Sequence, residues 1–161
     1  MRLSPRLAAI ARLISPGNRL VDVGTDHALL PVFLLAEGVC PFAIATDISP
    51  GPLEAAQRSA QRAGITSGID FRLGDGLAAV LSEEAGTVVI AGMGGETIAG
   101  ILSRAPWLKS EPYQMILQPQ SKVPELIDFL SVEGYHILAQ HFVEDAGRSY
   151  LIFEVTALDD R

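Results

Sequence analysis

Between Ser4 and Gly134, short apolar runs that end in glycine or a polar residue alternate with stretches whose apolar positions recur every three or four residues. The first pattern predicts buried parallel strands, and the second predicts helices packed on them. Ser4-Pro5 reads as a helix cap followed by a first-turn proline, with Leu7, Ile10, Ala11 and Ile14 forming one stripe up to Ser15-Pro16-Gly17. Arg19–Gly24 reads as a strand, Leu29–Glu37 as a helix stopped by Gly38, and Phe42–Asp47 as a second strand. A helix follows Ser49-Pro50-Gly51-Pro52, with Leu53, Ala56, Ala60 and Ala63 inward and Gly64 as its stop.

The beat repeats three more times. Ile69–Leu73 enters Gly74-Asp75-Gly76 and a short helix, and Thr87–Ala91 enters a Gly92–Gly95 loop and a helix through about Arg104. Tyr113–Leu117 enters Gln118-Pro119 and a capped helix from Ser121. After Gly134 two strand-like segments, Tyr135–Val143 and Ser149–Leu158, follow each other through Glu144–Arg148 with no helix between them. The prediction is an α/β fold: a seven-stranded, mostly parallel sheet with helices on both faces and an antiparallel terminal strand pair. Residues 1–161 read as one domain, with 1–16 forming an N-terminal basic helix.

Composition narrows the classes. Twelve basic against 19 acidic residues give a net charge of -7, which excludes a generally basic nucleic-acid coat. Residues 1–21, however, hold Arg2, Arg6, Arg12 and Arg19 and no acid. Arg6 and Arg12 fall off the apolar stripe, so they are candidates to meet a polyanion, or they form a solvated helix face. The single cysteine, Cys40, excludes an internal disulfide and reads as a small apolar filler, and no Cys/His cluster points to a metal. With no apolar run of membrane length and no signal-peptide pattern, a cytoplasmic, non-membrane protein is expected.

In an open parallel sheet, ligands gather at the carboxyl ends of the strands, near the switch in strand order. Those ends carry Asp22, Gly24, Thr25, Asp26 and His27, then Asp47, Asp75-Gly76, Gly92 and Gln118-Pro119. Gly24 lets the backbone approach a ligand, and Asp47, 23 positions later, fits a carboxylate accepting from both hydroxyls of a ribose. Asp47 equally fits a helix cap. A dinucleotide needs a phosphate cradle, whereas this turn reads Gly24-Thr-Asp-His-Ala28 and carries a carboxylate that repels pyrophosphate. Acidic loops suit the ammonium and sulfonium of S-adenosyl-L-methionine. Asp75 is then placed to accept from the adenine amino group, with Gly76 leaving room for the ring, or the pair is a tight turn.

Asp22–Pro31, Gly74–Leu77, Ile90–Gly95, Ile116–Pro119 and Glu144–Tyr150 together resemble the TrmK family of tRNA (adenine-22-N1) methyltransferases, in order and over nearly the whole chain. The resemblance implies a Rossmann-like class I methyltransferase that uses S-adenosyl-L-methionine and acts on adenine N1 in tRNA. That family usually continues into a helical C-terminal region, so this sequence is expected to be a short form without it. Adenine N1 has a free lone pair and needs no deprotonation; a nearby carboxylate would hold the amino group and stabilise developing positive charge. Asp26 is the catalytic candidate, where the family pattern also has an acid; the alternative is a turn-forming role. No Asn/Asp-Pro-Pro-aromatic string follows the fourth strand, which favours N1 over N6 chemistry.

Gln118 and Pro119 are candidate walls of the base pocket or an ordinary strand-to-helix turn, and His27 is a contact to cofactor or substrate or an interior histidine satisfied by backbone. His136 and His141 read as structural, and Trp107 as a loop anchor or a stacking platform. Two alternatives remain: a methyltransferase acting on another RNA or a small molecule, and a non-catalytic cofactor-binding module that works through a partner.

Overall fold

The computed structural model describes residues 2–158; Met1 and residues 159–161, included in the one-domain expectation, lie outside the described residues. Helix α1 (Pro5–Leu13) starts where expected, with the Ser4 hydroxyl accepting from the Leu7 amide at 3.3 Å. It is followed by β1 (Leu20–Val23), α2 (Leu29–Ala36), β2 (Ala43–Asp47), α3 (Pro50–Arg62) and β3 (Ile69–Leu73). Then come β4 (Thr87–Gly94), α4 (Gly95–Ser103), β5 (Gln114–Ser121), α5 (Val123–Val132), β6 (His136–Asp145) and β7 (Arg148–Thr156).

The strands form one seven-stranded sheet in the order β3-β2-β1-β4-β5-β7-β6. The order reverses between β1 and β4, and a cleft opens at their carboxyl ends. Alternation along β4 sends Val88 and Ile90 to a core under α4 and α5, and Val89 to the opposite core under α1 and α2. Both cores are built from apolar side chains, with Ile98, Leu117, Leu126 and Phe153 on one side and Ile10, Leu20, Leu34 and Ile152 on the other.

Three local expectations change. The segment after Gly76 forms turns and a single 3-10 turn at Ser82–Glu84 instead of an α-helix. The Arg72 guanidinium there takes the Ala79 carbonyl at 2.8 Å and both Glu84 oxygens, and the Glu84 carboxylate also accepts from the Leu81 amide, so side chains use groups a helix would need. The glycines after β4 are not a loop: β4 runs on to Gly94 through register shifts around Met93, paired with a β5 that includes Gln118 and Pro119. Helix α5 starts at Val123, with Lys122 in the left-handed region at its N-cap. The last two strands pair antiparallel through a two-residue turn, Ala146-Gly147, whose φ values of 52° and 79° fit the hairpin twist. Strand β7 pairs with β5, and β6 forms the sheet edge. Among the described residues no helix is long and apolar enough to cross a membrane, and no cluster of ligating side chains is assembled for a metal.

Candidate active site

The chain leaves β1 at Gly24, whose φ of +70° suits glycine, and the Gly24 and Thr25 amides both donate to the Thr46 carbonyl of β2 at 2.9 Å. A Cβ on Gly24 would lie 2.5 Å from Cε of Met93. Asp26 and Ala28 also have positive φ, 56° and 55°, so the turn between β1 and α2 is tightly wound. Its acids differ sharply in environment. Asp22 is buried inside β1 and accepts from the Thr25 hydroxyl at 2.9 Å. Burial pushes its carboxyl up to about 7; the Thr25 hydrogen bond and the Arg6 charge pull it down, while Asp47 raises it further. Asp26 projects outward with its side chain 74% exposed, 3.9 Å from Nε2 of His27, itself 55% exposed.

Gly24 lines two lobes of one cleft. The smaller, about 80 Å³, lies between the turn and α1 and is bounded by Arg6, Asp22, Thr25, Asp26, His27 and Leu29. The larger, about 270 Å³, is bounded by Asp47, Ile48, Asp75, Gly76, Thr97 and Ile101. Asp47 Oδ1 accepts from the Ser49 amide at 3.1 Å, so the residue serves the turn into α3 while also lining the cleft. Gly76 has φ +60°, and a Cβ there would lie 3.1 Å from the Ile101 side chain. Asp75 sits on the rim, 3.6 Å from an Arg104 guanidinium nitrogen.

Gln118 and Pro119 were expected as walls of a pocket, yet both are buried and line neither lobe. The Gln118 carboxamide instead replaces a missing ladder partner: Oε1 accepts from the Gly92 amide at 3.0 Å and from an Arg6 guanidinium N–H at 3.1 Å. Gln120 Nε2 donates to the Gly92 carbonyl at 2.6 Å. Gly92, at φ +75°, is thereby held from both sides where the β4–β5 register shifts.

The basic face expected on α1 is split. Six residues apart, Arg6 and Arg12 point roughly 120° apart around the helix. Arg12 is exposed along a groove between α1 and α2 that also contains Glu37, while Arg6 is half-buried and turned toward the strand ends. Its backbone amide donates to Asp145 Oδ2 at 3.1 Å, and its guanidinium lies 5.8 Å from the centre of the Tyr150 ring.

Sequence reasoning missed four cleft residues. Ile48 had a usable signal, a large apolar residue directly after a strand-ending acid, and it is 66% exposed. Thr97 stands in the first turn of a helix that follows a glycine run. Met93 and Ile101 left no signal, because only tertiary packing brings them opposite Gly24 and Gly76.

A methyltransferase-domain family model matches residues 3–153. The tRNA (adenine(22)-N(1))-methyltransferase of Bacillus subtilis strain 168 is 34% identical over 159 residues, spanning 99% of this chain and 67% of its own length. The crystal structure of the B. subtilis tRNA methyltransferase TrmK superposes with a TM-score of 0.92 at 35% identity, covering 98% of this chain and 68% of that one. A Streptococcus pneumoniae protein crystallised in complex with S-adenosyl-L-methionine gives 0.93 at 36% identity, covering 99% and 75%.

Proposed function

The chain belongs to the TrmK family of methyltransferase-domain proteins, and from that membership we propose that it transfers a methyl group from S-adenosyl-L-methionine to N1 of an adenine in tRNA. The observation that carries the reading is the two-lobed cleft divided at Gly24, with a carboxylate from β1, from β2 and from the segment after β3 along its length.

The residues fit the cofactor. The larger lobe offers Asp47 to ribose hydroxyls, Asp75 to an amino group at the rim, and Ile48 and Ile101 as apolar walls for a flat ring. The narrow floor at Gly24, which a Cβ would close, leads to the smaller lobe, where Asp22 provides an acceptor for an ammonium. The acidic turn after β1 disfavours a phosphate.

When bound, S-adenosyl-L-methionine supplies a methyl group already activated on a sulfonium. The protein's contribution is placement. Asp22 and Asp47 hold the two ends of the donor, and the Gln118–Gly92 clamp keeps the β4 end from intruding on the acceptor. Asp26 stands outside the donor set, exposed at the mouth of the smaller lobe. There its carboxylate accepts from the adenine amino group and offsets the positive charge that develops on the ring as N1 is alkylated. His27 borders the same mouth. The described residues serve as one catalytic unit, working where tRNA is found, in the cytoplasm.

Incubation with radiolabelled S-adenosyl-L-methionine and unmodified bacterial tRNA, followed by digestion to nucleosides, tests the reading. Labelled 1-methyladenosine is expected. Cofactor binding without transfer to any RNA would overturn the acceptor and favour a small molecule or a partner-dependent module.

A further inference from the structure

We infer that the outer edge of β6 docks a second copy of this chain, the two copies pairing antiparallel about a two-fold axis at Phe142 so that one sheet continues into the other. The inference is independent of the chemistry in the cleft.

The two edges of the sheet are unlike. Strand β3, at one edge, is five residues long and carries Asp70 and Arg72, so shortness and charge blunt it as a template. Strand β6, at the other, is ten residues long and contains no Lys, Arg or Pro. Its one device against pairing is the register irregularity between Ile137 and Ala139, beyond which the seven residues Ala139–Asp145 run in unbroken register with β7. Phe142, at the middle of that stretch, is 73% exposed. It stands beside Leu151 of β7 on the face that α4 and α5 cover, while Val143 turns to the core under α1 and α2. A bare run of backbone donors and acceptors thus lies next to a large exposed ring.

A second copy is the occupant because the segment is its own complement. Centring an antiparallel pair on Phe142 sets that ring opposite its mate, Gln140 opposite Glu144, His141 opposite Val143 and Ala139 opposite Asp145, each relation occurring twice. The rings then cover each other, each Gln140 carboxamide donates to a Glu144 carboxylate, and no like charges are directly opposed. Centres on His141 or Val143 would set Phe142 against Gln140 or Glu144, and a centre on Glu144 would oppose two carboxylates. The two clefts open at opposite ends of the joined sheet. Seven paired residues make a small interface, so the dimer is reversible, with a dissociation constant of about 1–100 µM.

Sedimentation velocity over about 1–500 µM protein reads the assembly, and disulfide trapping reads the register. Wild type is expected to pass from monomer to dimer across that range. Phe142→Glu adds a carboxylate beside Glu144 at an exposed position and is expected to raise the dissociation constant at least about 10-fold. Directly opposed residues of an antiparallel pair have Cα atoms about 4.5–5.5 Å apart, so Phe142→Cys is expected to cross-link with itself on oxidation. Gln140→Cys is expected to cross-link when mixed with Glu144→Cys and not alone, and the buried Cys40 stays out of the reaction. A dimer that Phe142→Glu leaves intact would overturn the inference in favour of another surface, and self-linking of Gln140→Cys would overturn the register. Wild type that stays monomeric at about 500 µM would overturn the pairing itself, and weaker tRNA binding by Phe142→Ala would then give the ring to RNA.

Discussion

Met93 fills the space that a side chain on residue 24 would need, with its Cε 2.5 Å from the position of a Cβ on Gly24. The relationship joins the turn after β1 to the register shift in β4, at the point where the two lobes of the cleft meet. Gly24→Ala therefore meets a steric clash and a φ of +70° together, at an expected cost of about 1–3 kcal/mol in denaturant unfolding. Adding Met93→Ala relieves the clash but not the backbone strain, so the double variant is expected to recover cofactor affinity more fully than stability. Full recovery of both would show that φ at this position carries no strain.

Asp47→Ala removes the carboxylate at the end of β2 from the larger lobe. Two charge-assisted hydrogen bonds to a ribose are worth about 1.5–3 kcal/mol each, so cofactor affinity is expected to fall at least about 100-fold by calorimetry. An unchanged dissociation constant would remove the nucleoside from this lobe.

Asp22 makes stability and binding depend on pH in opposite directions. The folded protein keeps the Asp22 proton up to about pH 7, whereas the unfolded chain releases it near 3.8. Stability is thus expected to decline as pH rises through that window, by about 1.4 kcal/mol per unit from this group, and to level off above it. Asp22→Asn removes the slope, so its melting-temperature advantage over wild type grows between pH 5 and 8. Cofactor binding runs the other way: an ammonium needs the ionised form, so wild-type affinity rises through about pH 7 while that of the Asn variant stays weak and flat. A wild-type affinity independent of pH would take Asp22 out of contact with the ammonium.

Asp26→Ala is expected to leave cofactor affinity within several-fold and to cut single-turnover methyl transfer by about 10- to 1,000-fold, the range for a lost electrostatic stabiliser. Its side chain is 74% exposed, so the substitution leaves folding stability nearly unchanged. Wild-type turnover would make the residue a turn former only.

Gln118→Leu leaves the Gly92 amide and the Arg6 guanidinium without their shared acceptor in a buried setting. The expected cost is about 2–4 kcal/mol in urea unfolding, and Gln118→Glu, which keeps the acceptor, is expected to cost less. Equal losses would assign the effect to packing.

The elements of the fold were legible because they are written locally. Apolar period, the Ser4 cap, the stops at Gly38 and Gly64 and the glycine or polar residues where the apolar runs end placed five helices and seven strands within a few residues. The helix expected after Gly76 failed because Arg72, distant from its partners until β3 forms, captures the Ala79 carbonyl and Glu84.

By itself the sequence determined the alternation of strands and helices, and the carboxylates and glycines that stand where ligands gather, since both follow from residue type and spacing. Only the tertiary structure decided the rest. Placing β7 between β5 and β6 depends on which edge buries Phe153 and Val155. Gln118 became an internal clamp, and not a pocket wall, because the β4 register shift left the Gly92 amide needing an acceptor. Arg6 and Arg12, adjacent in charge along the chain, were separated by the turn of one helix: burying its apolar stripe sends one arginine into the cleft and the other to the surface. Such choices belong to long-range packing, where the free energy of burying one group depends on partners far away in sequence.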